Sequence, residues 1–519
     1  MRPTRSILWF FIPLAFAYRL IYAVSRELVP DEAFYWVLSR HPAAGYLDHP
    51  PMVAYIIRLG TLLFGANELG VRVGAAVMAF GALMVLLWLG RRMIGERATV
   101  WLGSIWLISP LFAGLATIMT PDTPAIFFSM CAMACAIWAM GIGPSEIPVA
   151  RADAAESSFK LWLAFGYFTG LAMLSKYTAI LPAGAVTFAL LTSERGRREF
   201  RRPGIWMAGL VALLVFSPVI YWNASHQWAS FKFQMHHGLD EAEAPDGSGG
   251  EWLHSHFGSL AKYLIGQIGF FTPIFFIFGV VILAIRWRHY RELSTGYRIL
   301  LWSATVPLLF FSITALRSAK PGEGNWPAFG YFPMSLLMME HVARRWKPFD
   351  IKWLKIGCGV ALVITVALHS PDGLYAGLNK MGVGNIFPRK LNQFFGWRRM
   401  ALAVEPFRGD ATIICGTHQD AAELSFYLPS QPEVWVFPIT DPSGHPVSRP
   451  TAFEYFPNRP DLSKVRSVLF FTGRTEDFCR QYGFVRTESL NEIHIPLHGR
   501  WRDRRFDPCI NKLIAPAHP

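Results

Sequence analysis

The sequence predicts an all-α polytopic membrane protein that ends in a small α/β domain. Of the 519 residues, 52% are hydrophobic and only 16% are charged. In a typical soluble domain, about a quarter of the residues are charged. Apolar runs of membrane-spanning length recur up to residue 369. After residue 370 the pattern changes, because "ATIICG", "EVWVF" and "RSVLFF" predict short buried strands.

The apolar runs predict about eleven transmembrane segments. They lie near residues 6–24, 69–90, 98–118, 121–141, 161–174, 177–192, 204–223, 262–285, 299–316, 326–342 and 351–369. The fifth and sixth are short for a span, which leaves open two tight helices or a re-entrant pair. The first run lacks a small-x-small cleavage site, so we expect a retained span instead of a signal peptide.

Basic residues are distributed unequally between alternate loops. One set of loops contains "RRMIGER", "ERGRREFRR", "RWRHYRELSTGYR" and "RRWKPFDIKWLK", and the opposite set contains far fewer Arg and Lys. The positive-inside rule makes the basic loops and the N-terminus cytoplasmic. The net charge of +13 therefore reflects topology, and we expect no nucleic-acid partner.

This topology defines the expected domains. Residues 1–369 form the transmembrane domain, with a first outer loop at 25–65 and a long outer loop at 224–261. Residues 370–519 form a soluble α/β domain, in which "HQDAAELSFYL" predicts a helix between the first two strands. With an odd number of spans, this domain lies outside, which is the periplasm in a Gram-negative bacterium. An oxidising compartment would permit a disulfide among Cys415, Cys479 and Cys509, with the pairing left open.

The first outer loop brings several acids close to the first apolar segment. In "VPDEAFYWVLSR", Asp31 and Glu32 follow Pro30, where a helix could begin. One interpretation is helix capping, because acids in the first turn face the positive end of the helix dipole. The other is a general base and its neighbour, since partial desolvation raises the pKa of a carboxyl and improves it as a proton acceptor.

The motif "DHPP" supplies a second acid in the same loop. Its prolines stop any helix and fix the direction of the chain, so Asp48 and His49 would be held on a rigid turn that could face Asp31. An ordinary Asx-turn before proline is the alternative. Because Asp31 and Glu32 lie in the same short loop, a functional site and a plain turn are equally good interpretations of the "DHPP" motif.

The motif "TPDTP" places Asp122 between two prolines in the second outer turn. A turn needs no such acid, and polar residues at membrane depth are commonly functional. A carboxylate that faced the first loop would suit a divalent cation, acceptor positioning or a second base.

Four cations lie on the same predicted side of the membrane: Arg72, Lys176, Arg317 and Lys320. Each of them could simply extend its charged end to the interface. As a group they would bind a phosphate or diphosphate headgroup. The long outer loop adds His226, His236, His237, His254 and His256, but their spacing matches no zinc-ligand template. An aromatic, amphipathic segment on the lipid surface explains that loop better.

The motifs "PDEAFYW", "GYLDHPPMVAY", "TPDTPAIFF", "LSKYTAI" and "NWPA" together resemble the GT-C glycosyltransferases that use polyprenyl-phosphate sugars. This superfamily includes protein O-mannosyltransferases and aminoarabinose transferases, and the "DHPP" form resembles the branch with rhizobial lipopolysaccharide galacturonosyltransferases. The resemblance covers about residues 1–345. It implies a sugar donor carried on polyprenyl phosphate and an envelope glycan or lipid as the acceptor, within the bacterial inner membrane.

The resemblance also implies roles for the candidate residues. Asp31 matches the acid that takes the proton of the acceptor hydroxyl, with Glu32 orienting it or binding the acceptor. Asp48, His49, Asp122 and the "NWPA" residue Asn325 would line the cavity. The cations Arg72, Lys176 and Lys320 would stabilise the leaving phosphate, and Arg317 could contact the sugar.

Two departures narrow the resemblance. No soluble segment resembles the β-trefoil of eukaryotic protein mannosyltransferases, which disfavours protein O-glycosylation. The sequence also lacks the WWDYG signature of oligosaccharyltransferases, which disfavours the transfer of a whole glycan to asparagine. Two further classes remain open: a flippase or transporter of envelope lipid intermediates, and an oligosaccharide polymerase or ligase. A transporter would be expected to carry charged groups at mid-membrane and repeated halves, whereas here the ionisable residues gather at one face.

The predicted topology can be tested by reporter fusions in the loops. Fusions at residues 95 and 198 should report the cytoplasm, because both positions lie in basic loops, and a fusion at residue 240 should report the outer side. A cytoplasmic signal at residue 240 would place the acids on the wrong side of the membrane.

Overall fold

The computed structural model describes residues 3–141, 154–239, 249–317, 322–447, 449–471, 475–489, 493–494, 505–506 and 511–514. The chain divides into two compact units. The first comprises Met1–Leu20, His49–Val53 and Val73–Val366, and the second comprises Ile21–Asp48, Ala54–Arg72 and Ala367–Pro519.

Helices account for most of the described chain. The N-terminal part forms α1 (Pro3–Ser25), α2 (Pro30–Arg40), α3 (Met52–Phe64), α4 (Glu68–Met93), α5 (Glu96–Ile108), α6 (Pro110–Leu115) and α7 (Asp122–Ala139). The middle forms α8 (Ala154–Ser175), α9 (Ile180–Leu191), α10 (Glu194–Glu199), α11 (Pro203–Ser225), α12 (Ala229–Leu239), α13 (Gly249–Phe271), α14 (Pro273–Arg288) and α15 (Thr295–Arg317). The remainder forms α16 (Tyr331–Arg345), α17 (Pro348–His369), α18 (Pro371–Lys380), α19 (Trp397–Arg408), α20 (His418–Tyr427) and α21 (Thr475–Tyr482).

Within the described residues, the strands lie near the C-terminus. They are β1 (Thr412–Cys415), β2 (Trp435–Val436), β3 (Ser467–Phe471), β4 (Val485–Ser489), β5 (Ile493–His494), β6 (Arg505–Phe506) and β7 (Asn511–Ile514). Five of them form a sheet in the order β2-β1-β3-β7-β4. The predicted fold class is therefore confirmed as a helical chain with a small C-terminal sheet.

The first unit is helical and contains a large apolar core together with two smaller apolar clusters. Aromatic side chains pack at its centre: Trp106 stacks on Phe112 with 3.5 Å between ring centroids, and Phe271 stacks on Tyr331 at 4.5 Å. Aromatic rings bury large apolar areas, and their mutual packing adds to that stabilisation. The first contact joins α5 to α6 and the second joins α13 to α16, and an edge-on contact between Phe112 and Phe271 at 6.4 Å connects the two pairs.

Five helices in the described part of the chain are long and apolar enough to cross a membrane, namely α4, α7, α11, α15 and α17. A sixth span results if α13 and α14 are counted together. The chain is thus a multi-pass membrane protein, and the count of eleven spans stays a prediction. Helix α9 has 12 residues, which at about 1.5 Å per residue is too short to cross about 30 Å of hydrocarbon.

The prediction of one continuous span at 262–285 is wrong. The chain bends by 108° between His256–Phe271 and Pro273–Arg288. Thr272 causes the break, because its φ is 69° and its side chain accepts the backbone N–H of Phe275 to begin a new helix. Pro273 then occupies the first turn of α14, where its missing N–H is not needed.

The segment 224–261, predicted as a long loop, is largely helical where it is described. It contains α12 and the first half of α13. The intervening residues 240–248, which include most of the "EAPDGSGGE" stretch, lie outside the described residues.

The second unit contains the sheet and the helices that flank it. Strand β1 pairs in parallel with both β2 and β3, and α20 connects β1 to β2. The predicted βαβ arrangement is therefore confirmed. Ile414, Phe470 and Phe471 are fully buried in these strands, as expected for parallel strands covered on both faces.

Helix α2 packs against α20 inside this unit. The ring of Trp36 contacts Phe426 edge-on at 4.9 Å, and Phe34 contacts His418 edge-on at 5.0 Å. The helix predicted from "DEAFYWVLSR" is confirmed, and its apolar face is buried. Its first turn carries the acids of the candidate site.

Candidate functional site

The first turn of α2 places two adjacent acids in opposite environments. Pro30 occupies the first helical position, which suits a residue without an N–H. Glu32 is fully buried and accepts the backbone N–H of Val29 at 3.2 Å. Asp31 is exposed. Glu32 thus makes the capping contact that the sequence allowed, and proton transfer by Asp31 stays a prediction.

A buried ion pair holds Glu32. The Nε of Arg72 donates to both carboxylate oxygens at 2.9 and 3.1 Å, and Nη2 donates to Oε2 at 2.6 Å. The Arg72 side chain is 1% exposed and that of Glu32 is 0% exposed. Such a forked contact is the geometry in which arginine binds a carboxylate most strongly.

The rest of the Arg72 guanidinium is also occupied by the protein. Nη1 donates to the carbonyls of Ala23 and Arg26 at 3.0 and 2.8 Å, and Nη2 donates to that of Glu27 at 2.8 Å. Arginine has five N–H groups, and each one is directed at Glu32 or at these carbonyls. Arg72 was predicted to bind a phosphate, but in this conformation it retains no N–H for one.

Asp31 receives a contact from the C-terminal region. Nε2 of Gln419, in the first turn of α20, lies 3.4 Å from Asp31 Oδ1. The preceding Glu27 accepts the backbone N–H of Trp397 at 2.8 Å. The acid motif is therefore held on one side by Arg72 and on the other by residues beyond position 390.

Asp48 lies on the turn between α2 and α3, as the double proline predicts, and its side chain is buried. Nη2 of Arg449 is 3.3 Å from Oδ1, and the backbone N–H of Ala452 donates to Oδ2 at 3.3 Å. Burial raises the pKa of Asp48 to about 6, and the positive charge of Arg449 opposes this rise. Asp48 is thus a carboxyl whose charge changes near neutral pH.

A second cluster forms in the first unit from three separate motifs. Lys176 Nζ donates to Asp122 Oδ1 at 2.7 Å, and Asn325 Nδ2 donates to Oδ2 at 2.9 Å. The Asp122 and Lys176 side chains are 5% and 13% exposed. Lys176 has an extended backbone conformation at the break between α8 and α9, and this break directs its side chain to the start of α7. The structure therefore brings the "TPDTP", "LSKYT" and "NWPA" motifs together.

The other predicted residues are placed separately. His49 is half-buried and belongs to the first unit, and Arg317 is exposed at the end of α15. Lys320 lies outside the described residues, as do the side chains of His236, His237 and His254. Across the described part of the chain, no group of three or more His, Cys, Asp or Glu could hold a metal ion.

Three residues near the acids were missed in the sequence: Gln419, Glu423 and Arg449. All of them lie in the tail, to which the family motifs do not extend. The sequence feature that could have indicated a functional role for this helix is the polar beginning of "HQDAAELSFYL", where three polar side chains precede the apolar face.

Glu423 has an unusual environment on α20. The side chain is fully buried, and neither carboxyl oxygen has a hydrogen-bond partner among the described residues. Burial raises the pKa of Glu423 well above its usual value, the charges of Glu27 and Glu32 raise it further, and that of Arg72 lowers it. The surroundings of Glu423 therefore favour the protonated, neutral form of its carboxyl.

Comparison with known proteins gives a consistent fold and a set of relatives. Residues 48–222 match the family described as dolichyl-phosphate-mannose-protein mannosyltransferase. The chain is 25% identical over 330 residues to the lipid A galacturonosyltransferase RgtD of Rhizobium johnstonii, covering 62% of each chain. It is 24% identical over 361 residues to an undecaprenyl phosphate-alpha-4-amino-4-deoxy-L-arabinose arabinosyl transferase of Edwardsiella ictaluri, covering 65% of this chain and 59% of the relative. The matches thus span about three fifths of the length of these relatives.

The fold is shared with a solved structure over nearly the whole chain. The structure of ArnT from Cupriavidus metallidurans bound to undecaprenyl phosphate superposes with a TM-score of 0.64, at 17% identity and with 99% of both chains covered. The structure of the same protein in the apo state gives 0.62, covering 93% of this chain and 96% of the other. The chain has the GT-C fold that its motifs predict.

Removal of the Arg72 side chain should destabilise the protein strongly. Arg72→Gln leaves Glu32 buried without its cation, which costs about 3–5 kcal/mol for a broken buried pair. The melting temperature of the purified protein, followed by intrinsic fluorescence, measures this loss. Lys464→Gln is the matched control, because Lys464 is exposed and its ion pair with Asp461 is also exposed. An Arg72→Gln protein as stable as Lys464→Gln would contradict the structural role of the pair.

The raised pKa of Glu423 predicts a pH dependence of stability. A carboxyl whose folded-state pKa is raised binds its proton more tightly in the folded protein, so its contribution is complete below the unfolded-state pKa of about 4.3 and is lost as the pH rises through the folded-state pKa. The melting temperature should therefore fall as the pH rises above about 4.3, and Glu423→Gln should reduce that fall. Glu476→Gln, at an exposed position on α21, should behave as the wild type does. Identical slopes for all three proteins would contradict the prediction.

Proposed function

We propose that the chain, which has the GT-C fold, is an inverting glycosyltransferase of the GT-C superfamily. It would move one sugar from a polyprenyl-phosphate carrier to a hydroxyl of lipid A, core oligosaccharide or another envelope glycan. The observation that carries the proposal is the exposed Asp31 beside the buried Glu32–Arg72 pair in a multi-pass membrane protein. The named activities of RgtD and the aminoarabinose transferase support it.

The reaction needs one base and one stabilised leaving group. Asp31 takes the proton of the acceptor hydroxyl as its oxygen attacks the anomeric carbon. The bond from that carbon to the phosphate oxygen breaks, and polyprenyl phosphate leaves with the electron pair. Attack opposite the leaving group inverts the configuration at the anomeric carbon.

The different environments of Asp31 and Glu32 support this assignment of the base. Glu32 is committed to Arg72 and to the N–H of Val29, so its role is to hold the first turn of α2. Asp31 is exposed on the same turn and can meet an incoming hydroxyl. Arg72 is accordingly assigned to positioning Glu32 and not to binding the phosphate.

Lys176 is the cation best suited to the leaving phosphate. One of its three N–H groups is directed at Asp122, at 2.7 Å, which fixes the ammonium, and among the described residues the other two N–H groups have no hydrogen-bond partner. Charge develops on the phosphate oxygen in the transition state, and a fixed cation stabilises it there. Arg317, Lys320, Asp48, His49 and Asn325 are proposed to contact substrate, as the family resemblance implies.

The proposal places the chain in the bacterial inner membrane with its N-terminus in the cytoplasm. The acid motif and the C-terminal domain would be periplasmic. Nucleotide sugars are confined to the cytoplasm, so a lipid-borne donor is required on the outer side.

Replacement of the base tests the proposal. A deletion strain should lose one sugar from its lipid A or core oligosaccharide, as measured by mass spectrometry, and the wild-type gene should restore it. Asp31→Asn keeps the shape of the side chain but removes the proton acceptor, so sugar transfer should fall by about 10²–10⁴-fold.

The matched control is Asp410→Asn, which makes the same change at an exposed position of the same unit. It should restore the sugar fully. Full restoration by Asp31→Asn at wild-type protein levels would exclude Asp31 as the base. An unchanged envelope in the deletion strain would contradict the proposed function itself.

A further inference from the structure

We propose that Arg449, in the C-terminal region, is a positioning residue that holds the Asp48 carboxylate of the "DHPP" motif in place for sugar transfer. The inference rests on the proposed function. It gives the tail, which carries no family motif, a direct part in the arrangement of the acids.

The first step is the environment of Asp48. The side chain is buried, and its two oxygens lie 3.3 Å from Arg449 Nη2 and 3.3 Å from the backbone nitrogen of Ala452. Both contacts come from one short stretch of chain about 400 residues away from Asp48 in the sequence. A carboxylate removed from water needs such partners, because an unpaired buried charge is very unfavourable.

The second step is the support of Arg449 itself. Its Nη2 lies 2.9 Å from Nε2 of His418, the first residue of α20. Burial, and then the charge of Arg449, lower the pKa of His418 to about 3. The imidazole is therefore neutral and accepts a hydrogen bond from Arg449, so the guanidinium is held between an acceptor nitrogen and a carboxylate.

The third step links this arrangement to Asp31. The His418 ring packs edge-on against Phe34 of α2, with 5.0 Å between ring centroids. The neighbouring Gln419 points its amide at Asp31. One end of α20 thus supports the turn that carries Asp48, through Arg449, and the first turn of α2, directly.

The charges around Asp48 define a measurable consequence. Burial raises the pKa of Asp48, Arg449 lowers it, and Glu454 raises it slightly, while His418 is neutral. The activity should therefore fall as the pH drops through about 6. Removal of the Arg449 charge should move this acidic limb to higher pH by about one to three units, the usual effect of an arginine on a neighbouring acid.

The experiment compares Arg449→Gln with Arg449→Lys and with Arg466→Gln, a matched control at an exposed position of the same unit. Each purified protein is placed in vesicles with lipid A and the polyprenyl-phosphate sugar that the wild type uses. Arg449→Gln should lower kcat by about 10- to 100-fold, as displaced catalytic groups do, and shift the acidic limb upward. Arg449→Lys should keep the limb near its wild-type position, and Arg466→Gln should match the wild type in both respects.

A second measurement does not depend on activity. Thermal unfolding of Asp48→Asn, Arg449→Gln and the double variant forms a double-mutant cycle, and coupled residues give a double variant less destabilised than the sum of the single ones. An additive cycle, or an Arg449→Gln enzyme with the wild-type kcat and pH profile, would overturn the inference. If the wild type transfers no sugar, the proposed function fails, whereas the cycle still decides whether Arg449 holds Asp48.

Discussion

The buried ion pair between Glu32 and Arg72 is the interaction on which the acid motif depends. Arg72 lies in the first turns of α4, and its guanidinium collects Glu32 together with the carbonyls of Ala23, Arg26 and Glu27. Three segments that meet at the end of the first helix are thereby fixed to one another. Desolvation of two charges is unfavourable, and the extra hydrogen bonds to the carbonyls compensate for it. The position of Asp31 follows, because it is adjacent to Glu32 on the same turn.

Adjacent acids with opposite surroundings can perform different tasks. Glu32 has no exposed surface and is paired with Arg72, whereas the neighbouring Asp31 is exposed to solvent. Enzymes that use two carboxyls commonly give them different roles in this manner, because the surroundings of each carboxyl set its pKa. Asp122 belongs to a third arrangement, in which Lys176 and Asn325 satisfy both of its oxygens. This explains how a chain so rich in apolar residues can retain several acids near its spans.

Much of this could be predicted from the sequence, and the exceptions have physical reasons. The helix at "PDEAFYWVLSR" follows from its proline, its first-turn acids and its apolar spacing. The sequence also singled out Asp122, Lys176 and Asn325 as candidate site residues, and their side chains are in contact, whereas a single cavity shared with Asp31 stays a prediction. The role of Arg72 was not accessible, because a lone arginine at a helix end gives no indication of its partner. The break at Thr272 depends on a positive φ that an apolar run conceals. Gln419 and Arg449 reach the acids across 388 and about 400 residues, a separation at which local pattern carries no information.

The most direct test of the proposed transfer is the balance of products formed by the purified protein in vesicles. A labelled polyprenyl-phosphate sugar and lipid A serve as substrates, and the released lipid and the modified acceptor are counted by mass spectrometry. We expect one polyprenyl phosphate for each sugar gained by the acceptor, with inverted configuration at the anomeric carbon by NMR. Movement of the intact lipid-linked sugar across the bilayer without release of polyprenyl phosphate would identify a transporter and contradict the account. Release of a polyprenyl diphosphate would identify a ligase or polymerase and contradict it equally.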